Sequence, residues 1–99
     1  MDRLKDKVAI VTGSTSGIGT GIAKMCGAEG AKVVVCGRRE ERGQAVVDAI
    51  AEAGGEATFH FLDITKPETV DALFADTEAA YGKIDILVNN AAGMALKDG

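Results

Sequence analysis

A glycine-rich segment near the amino terminus has the residue types that bind a phosphate group. Residues 12–19, with the sequence TGSTSGIG, lie between an apolar run at residues 8–11 and a segment of helical periodicity that starts at Ile18. Glycines at positions 13, 17 and 19 permit a tight turn and a close approach of the backbone to an anion, and the following helix directs unpaired N–H groups at that anion. An ordinary glycine-rich turn is the alternative, but a strand before the loop and a helix after it favour a phosphate site.

Four apolar runs alternate with three segments of helical periodicity, and together they position this loop. Continuous apolar residues predict a buried parallel strand over 7–12, and β-branched residues predict a second strand over 32–37. Further strands are predicted over 57–62 and 84–88. Helices are predicted from residue 18 to a stop at Gly30, from the charged segment after the second strand to about residue 53, and from Pro67 to about Tyr81.

Side-chain spacing predicts how the second and third helices begin and pack. Thr65 and Glu68 have the spacing of a capping box at the start of the third helix. The residues predicted on one side of the second helix are Val46, Val47, Ile50 and Ala53, and those of the inward stripe of the third helix are Val70, Leu73, Phe74 and Thr77.

The alternation of strands and helices with short connections predicts an α/β fold with a Rossmann-like, doubly wound parallel sheet. The strand order 3-2-1-4 fits best, because right-handed crossovers leave few other arrangements. Strands one and four then lie side by side where the winding reverses, so the glycine segment and the turn at Asn89 and Asn90 flank one crevice. We expect residues 1–99 to form a single domain.

Composition disfavours several classes of function. Hydrophobic residues make up 46% of the 99 residues, which is ordinary for a globular core, and a net charge of -4 opposes a general attraction to nucleic acid or to an anionic membrane. The charged start lacks the apolar core of a signal peptide, and no apolar run reaches membrane-spanning length, so a cytoplasmic protein is expected. Cys26 and Cys36 lack metal-like spacing and are interpreted as buried, reduced thiols, with a disulfide or a catalytic role as the alternative.

Motifs at the four predicted strand ends resemble those of the short-chain dehydrogenase/reductase family. They are TGSTSGIG after the first strand, GRR after the second, Asp63 after the third and NNAAG after the fourth. The resemblance spans nearly the whole chain and covers the amino-terminal, nucleotide-binding half of the family. It implies an oxidoreductase that interconverts an alcohol and a carbonyl compound by hydride transfer with NAD(P), working as a homo-oligomer without a metal.

The catalytic residues of the family have no counterpart in this sequence. That family uses a later Ser and a Tyr and Lys separated by three residues, whereas position 85, four residues after Tyr81, is Asp. No residue of this chain is therefore assigned a catalytic role, and the 99-residue chain by itself is expected to be inactive.

The resemblance implies cofactor-binding roles for individual positions. Thr12 would brace the turn, Asp63 and Ile64 would contact adenine, Asn90 would line the ribose region, and Asn89 would tie the fourth strand to the glycine segment. The alternatives are that Asp63 caps a loop and that either Asn suits a turn. The cofactor-binding residues implied in this way are Gly13, Ser14, Ser16, Gly17, Ile18, Gly19, Arg38, Arg39, Asp63, Ile64, Asn90, Ala91, Ala92 and Gly93.

A cluster of arginines after the second strand favours NADP(H) over NAD(H). Loops of this kind that bind NAD generally carry an acidic residue at the end of the second strand, and here that position is Gly37. Arg38, Arg39 and Arg42 follow, and a guanidinium pairs with a 2′-phosphate and stacks on adenine. The alternative is a solvated helix start in which the neighbouring glutamates interact with the helix dipole and the arginines do nothing specific.

Two other functions stay open at this point. One is a non-catalytic dinucleotide-binding module complete at residue 99, and the other is a structural role through pairing of a sheet edge. The ending at residues 94–99 has no cap or final element, which favours a piece of a longer chain. Sheet residues such as Ile10, Val34 and Ile86 would then lose part of their cover.

Overall fold

A computed structural model describes residues 3–13 and 17–89 of the chain. The four strands are all parallel and lie in the order β3-β2-β1-β4, which confirms the predicted fold class and strand order. No helix in the described ranges is long and apolar enough to cross a membrane. The elements are β1 (Val8–Thr12), α1 (Gly17–Ala28), β2 (Lys32–Gly37), α2 (Glu40–Glu52), β3 (Glu56–Phe61), α3 (Pro67–Tyr81) and β4 (Ile86–Asn89).

Helices cover both faces of the sheet and bury a separate apolar cluster on each. On one face α1 and α2 pack on alternate residues of β1 and β2, such as Val11 and Val35. On the other face α3 packs through Leu73 on Ile10 and Val34. The expectation that the side chains of Ile10 and Val34 are partly exposed to solvent is wrong, since these residues are 0% and 3% exposed.

The two cysteines lie on opposite faces of this sheet, and neither is part of a disulfide. Cys26 belongs to the cluster under α1 and α2, and Cys36 to the cluster under α3. Burial raises the pKa of the Cys36 thiol to about 12, which keeps it protonated and unreactive. The prediction of buried, reduced thiols is confirmed.

Asp85 fixes the start of β4 beside the start of β1. The Asp85 N–H donates to the Val8 carbonyl oxygen over 2.9 Å, and the Val8 N–H donates to Asp85 Oδ2 over 2.9 Å. Lys83 Nζ lies 3.2 Å from the same carboxylate oxygen. Because the Asp85 side chain takes the place of a ladder partner, β4 begins at Ile86, two residues later than predicted.

The predicted capping box at the start of α3 is wrong. The N-cap is Lys66, which makes no side-chain cap hydrogen bond. The Thr65 hydroxyl donates instead to Asp63 Oδ1 over 2.6 Å, because this carboxylate, two residues back, is a charged acceptor. Pro67 occupies the first turn, as predicted, and Gly82 ends the helix at a φ of 81°.

The predicted inward stripe of α3 is confirmed, and that of α2 is confirmed at Val46, Val47 and Ile50 but is wrong at Ala53. Leu73 and Thr77 are buried on α3, with Val70 and Phe74 packed beside them. Ala53 is exposed because it lies after the last residue of α2, Glu52. The buried residues of α2 are Gly43, Val46, Val47 and Ile50.

Candidate functional site

The carboxyl ends of β1 and β4 are joined through Thr12. Thr12 pairs with Asn89 in the register of the two strands. Its Oγ1 lies 3.2 Å from Asn89 Oδ1 and 3.2 Å from the Val88 carbonyl oxygen, so one hydroxyl hydrogen is shared between two acceptors. The predicted tie between Asn89 and the start of the glycine segment is therefore present, and it holds both sides of the switch point together.

Two glycines of the loop, Gly13 and Gly17, have the left-handed backbone conformation that glycine adopts most easily. Gly13 has a φ of 65° and Gly17 a φ of 52°. A Cβ at Gly17 would meet no atom of residues 3–13 and 17–89 within 4 Å, so the positive φ, rather than crowding by these residues, favours glycine at this position. Gly19 is buried and Ile18 is 76% exposed. Ser14 and Ser16 lie outside the described residues.

Helix α1 starts directly after this loop, so the positive end of its dipole lies there. Its first turn contains no acidic residue, whereas the first turn of α2 has Glu40 and Glu41 and that of α3 has Glu68. The partial positive charge and the free N–H groups of a helix start attract an anion. An anion placed at the α1 start would therefore meet no opposing carboxylate from the helix itself.

The Arg38 and Arg39 side chains are exposed directly after β2. Arg39 is the N-cap of α2 in an extended conformation, with no side-chain cap bond, and neither arginine has an ion pair within residues 3–13 and 17–89. The positive charge of Arg38 is close enough to Asp63 to contribute to the low pKa of that carboxyl. The structure thus brings the ends of β2 and β3 together at one edge.

Asp63 caps the loop between β3 and α3 while it stays ionised. The Thr65 hydroxyl and then the Thr65 N–H, both donating to Asp63 Oδ1, hold the pKa of this carboxyl below its usual range, and Lys66 and Arg38 add smaller Coulomb effects. The Asp63 N–H donates to Thr69 Oγ1 over 3.0 Å. Asp63 therefore caps the loop, which was the alternative to a contact with adenine. Its neighbour Ile64 is 39% exposed.

Sequence reasoning missed the contribution of Thr69 to this corner. Its Oγ1 lies 2.8 Å from the carbonyl oxygens of both Asp63 and Lys66, and so fixes the turn from inside the helix. A threonine in the first turn of a helix, with an aspartate six residues earlier, was the available signal.

The site-residue predictions fall into two groups. Gly13, Gly17, Ile18 and Gly19 after β1, Arg38 and Arg39 after β2, and Asp63 and Ile64 after β3 all lie at the carboxyl edge of the sheet. No cluster of potential metal ligands occurs in the described ranges. The predicted residues that lie outside those ranges are Ser14, Ser16, Asn90, Ala91, Ala92 and Gly93.

This architecture defines the Rossmann-like class of α/β proteins, with a glycine loop at the switch point of a parallel sheet. The profile of the short chain dehydrogenase family matches residues 7–98, and the chain belongs to that family.

Known proteins share both sequence and fold with this chain. A 3beta-hydroxysteroid dehydrogenase of Mediterraneibacter gnavus is 50% identical over 91 residues, which are 92% of this chain and 33% of that protein. A 7alpha-hydroxysteroid dehydrogenase of Clostridium sardiniense is 43% identical over 93 residues, 94% of this chain and 36% of that protein. The crystal structure of a metagenomic short-chain oxidoreductase in complex with NADP has a TM-score of 0.85 at 42% identity, covering 88% of this chain and 39% of that one.

The chain thus spans about a third of the length of the curated relatives that it matches.

Proposed function

We propose that this chain is the NADP(H)-binding part of an oxidoreductase that interconverts an alcohol and a carbonyl compound by hydride transfer. The observation that carries the proposal is the loop after β1, where Gly13 and Gly17 have positive φ and lead into a helix without acidic residues in its first turn. Membership of the short chain dehydrogenase family supports the reaction class, and the two hydroxysteroid dehydrogenase relatives support an alcohol as substrate. The same resemblance supports a homo-oligomer in the cytoplasm.

The residues present fit a dinucleotide with a 2′-phosphate. The open space beside Gly17 and the positive end of α1 suit the pyrophosphate, with Ile18 and Gly19 next to it. Ionised Asp63 and exposed Ile64 suit the adenine, since a carboxylate accepts from an amine and an aliphatic side chain packs on a ring. The cofactor, when bound, would supply the hydride in its reduced form and accept it in its oxidised form. Ser14 and Ser16 on the loop, and Asn90, Ala91, Ala92 and Gly93 after β4, are proposed to complete the site.

Arginine chemistry at the end of β2 supports NADP(H) over NAD(H). Gly37 offers no carboxylate to a ribose 2′-hydroxyl, and Arg38 and Arg39 are exposed cations without an ion pair in the described part of the chain. A phosphate there gains charge-assisted hydrogen bonds from the guanidinium groups.

Calorimetric titration with NADP⁺ and NAD⁺ tests this choice of cofactor. We expect the parent chain to bind NADP⁺ at least about tenfold more tightly, which is about 1.4 kcal/mol, and Arg38→Asp to reverse the preference. Lys24→Asp is the matched control, because it makes the same charge change on the exposed surface of α1 and should leave the preference unchanged. Tighter binding of NAD⁺ by the parent chain would refute the proposal.

We further expect the 99-residue chain to bind nucleotide without turnover, because its sequence contains no Tyr-x-x-x-Lys pair. Nicotinamide absorbance, followed with a panel of alcohols and carbonyl compounds, measures this. Turnover that persists through purification and is lost with Gly17→Val would contradict the expectation, since the bulky residue is strained at a φ of 52°.

A further inference from the structure

The first inward position of α2 is a glycine. Gly43 lies three, four and seven residues before Val46, Val47 and Ile50, and all four are buried against the sheet. The other three positions bring aliphatic side chains to the core, whereas Gly43 brings only its backbone. The amino-terminal turn of α2 therefore approaches the sheet more closely than an aliphatic residue would allow.

The ring of Phe59 on β3 occupies the space that a side chain at Gly43 would need. A Cβ at Gly43 would overlap two carbon atoms of this ring and would lie only 3.0 Å from its Cγ. Phe59 is held in place by its own strand, which pairs it with Val35 on β2. The contact between the Gly43 backbone and the Phe59 ring thus fixes the height of the first turn of α2 above the sheet.

This contact is connected directly to the arginine pair. The Gly43 N–H donates to the Arg39 carbonyl oxygen over 3.0 Å, the first backbone hydrogen bond of α2. Arg39 is the N-cap and has no side-chain cap bond of its own, so this backbone bond closes the first turn of the helix on the Arg39 carbonyl group. Arg38 is the next residue back, immediately after Gly37 at the end of β2. A displacement of Gly43 therefore moves the backbone that carries both guanidinium groups.

We propose that Gly43, seated on Phe59, is a positioning residue that sets the preference of this chain for a 2′-phosphorylated nucleotide. The inference rests on the proposed function, because it assumes that Arg38 and Arg39 contact the 2′-phosphate. It assigns the fine placement of these arginines to a helix-to-strand contact one turn away. Gly43 itself touches neither the phosphate nor any reacting atom.

Gly43→Ala, titrated with NADP⁺ and NAD⁺, tests the inference. Displacement of the helix start by the added methyl group should weaken NADP⁺ binding by about tenfold or more, since the hydrogen bonds of the guanidinium groups to the 2′-phosphate depend steeply on distance and angle. NAD⁺ binding should change less than about twofold, because NAD⁺ carries no 2′-phosphate for the arginines to meet. A general loss of stability would instead weaken both nucleotides together.

Two further variants separate positioning from a simple packing defect. Gly43→Ala combined with Phe59→Val removes the overlapping ring atoms. This double variant should restore the ratio of the NAD⁺ dissociation constant to the NADP⁺ dissociation constant towards the parent value. Gly21→Ala is the matched control, because its Cβ would meet nothing within 4 Å, and it should leave the ratio unchanged. Circular dichroism establishes that each variant is folded before titration.

Each outcome decides the inference. The inference is overturned if the folded Gly43→Ala chain keeps the parent ratio of dissociation constants, as it does when the affinities for NADP⁺ and NAD⁺ fall by the same factor. If Gly43→Ala does not fold, Phe59→Val alone should lower the ratio of the NAD⁺ dissociation constant to the NADP⁺ dissociation constant. The double variant should recover part of this ratio, because the alanine methyl group fills the space left by the ring. A double variant with a lower ratio than Phe59→Val alone overturns the inference. If the parent shows no preference for NADP⁺, the proposed function fails instead, and the parent titration alone reveals this.

Discussion

Two carboxylates, Asp63 and Asp85, hold backbone at opposite ends of the sheet. Asp63 organises the turn at the carboxyl edge through the hydroxyl and N–H of Thr65. Asp85 works at the amino edge, where its carboxylate accepts the Val8 N–H and so joins β4 to β1. In both cases the ionised carboxylate accepts the hydrogen bonds, so protonation of the side chain weakens the contacts that hold the local backbone.

The Asp85 contact predicts a pH dependence of stability. The Val8 N–H, with a smaller contribution from Lys83, holds the pKa of Asp85 below its ordinary value of 3.8. A lowered pKa in the folded state means that the stabilisation is complete above pH 3.8 and is lost as the pH falls through the folded value. We therefore expect Asp85→Asn to lower the free energy of unfolding at neutral pH, with the difference from the parent shrinking under acid.

Urea denaturation of both chains at a series of pH values measures this difference. Asp71→Asn is the matched control, since Asp71 is exposed on α3 and its carboxylate makes no ion pair or hydrogen bond to a described residue. A constant difference between Asp85→Asn and the parent from neutral to acid pH would show that the charge of Asp85 contributes nothing.

At the scale of elements, two of the four glycines of α1, Gly21 and Gly27, lie in opposite surroundings. A Cβ at Gly21 would enter open space, whereas a Cβ at Gly27 would lie 2.7 Å from Cγ2 of Ile50 on α2. Gly21→Ala should raise the free energy of unfolding by about 1 kcal/mol through helix propensity. Gly27→Ala should lower it by about 1–3 kcal/mol, because the helices must move apart. Thermal and urea denaturation of the two variants compare them directly, and stabilisation by both would contradict a close α1–α2 contact at Gly27.

Local patterns in the sequence predicted the elements and their order, but not how side chains meet across them. The apolar run of β1 and the glycine that ends α3 determine the structure of only a few neighbouring residues, so the local sequence is enough to predict their effect. The capping-box prediction was wrong because the Thr65 hydroxyl donates to the nearby charged carboxylate of Asp63 instead. The spacing of Thr65 and Glu68 contains no information about this competing acceptor. The contact of Gly43 with Phe59 depends on the height of a helix above a sheet, and no periodicity encodes that distance.

At the scale of the whole molecule, the two faces of β4 are covered unequally. Leu87 pairs with Ile10 in the register of the sheet, so both side chains point to the α3 side. Ile10 is fully buried, but Leu87 is 50% exposed. In the described part of the chain β4 also lies at the edge of the sheet, which leaves its outer backbone groups without a neighbouring strand.

These features predict that the 99-residue chain self-associates at micromolar concentration through β4. Full burial of a leucine contributes about 1.5–3 kcal/mol, and an apolar edge strand adds backbone hydrogen bonds to that gain. Light scattering should show association in the parent chain and its reduction by Leu87→Lys, which places a charge on the exposed face. Met25→Lys is the matched control, because Met25 is 59% exposed on α1, away from the sheet edge, and its replacement should leave association unchanged. Equal reductions by both variants would attribute association to general surface hydrophobicity, and a monodisperse parent monomer with a sharp unfolding transition would show that the β4 edge drives no assembly.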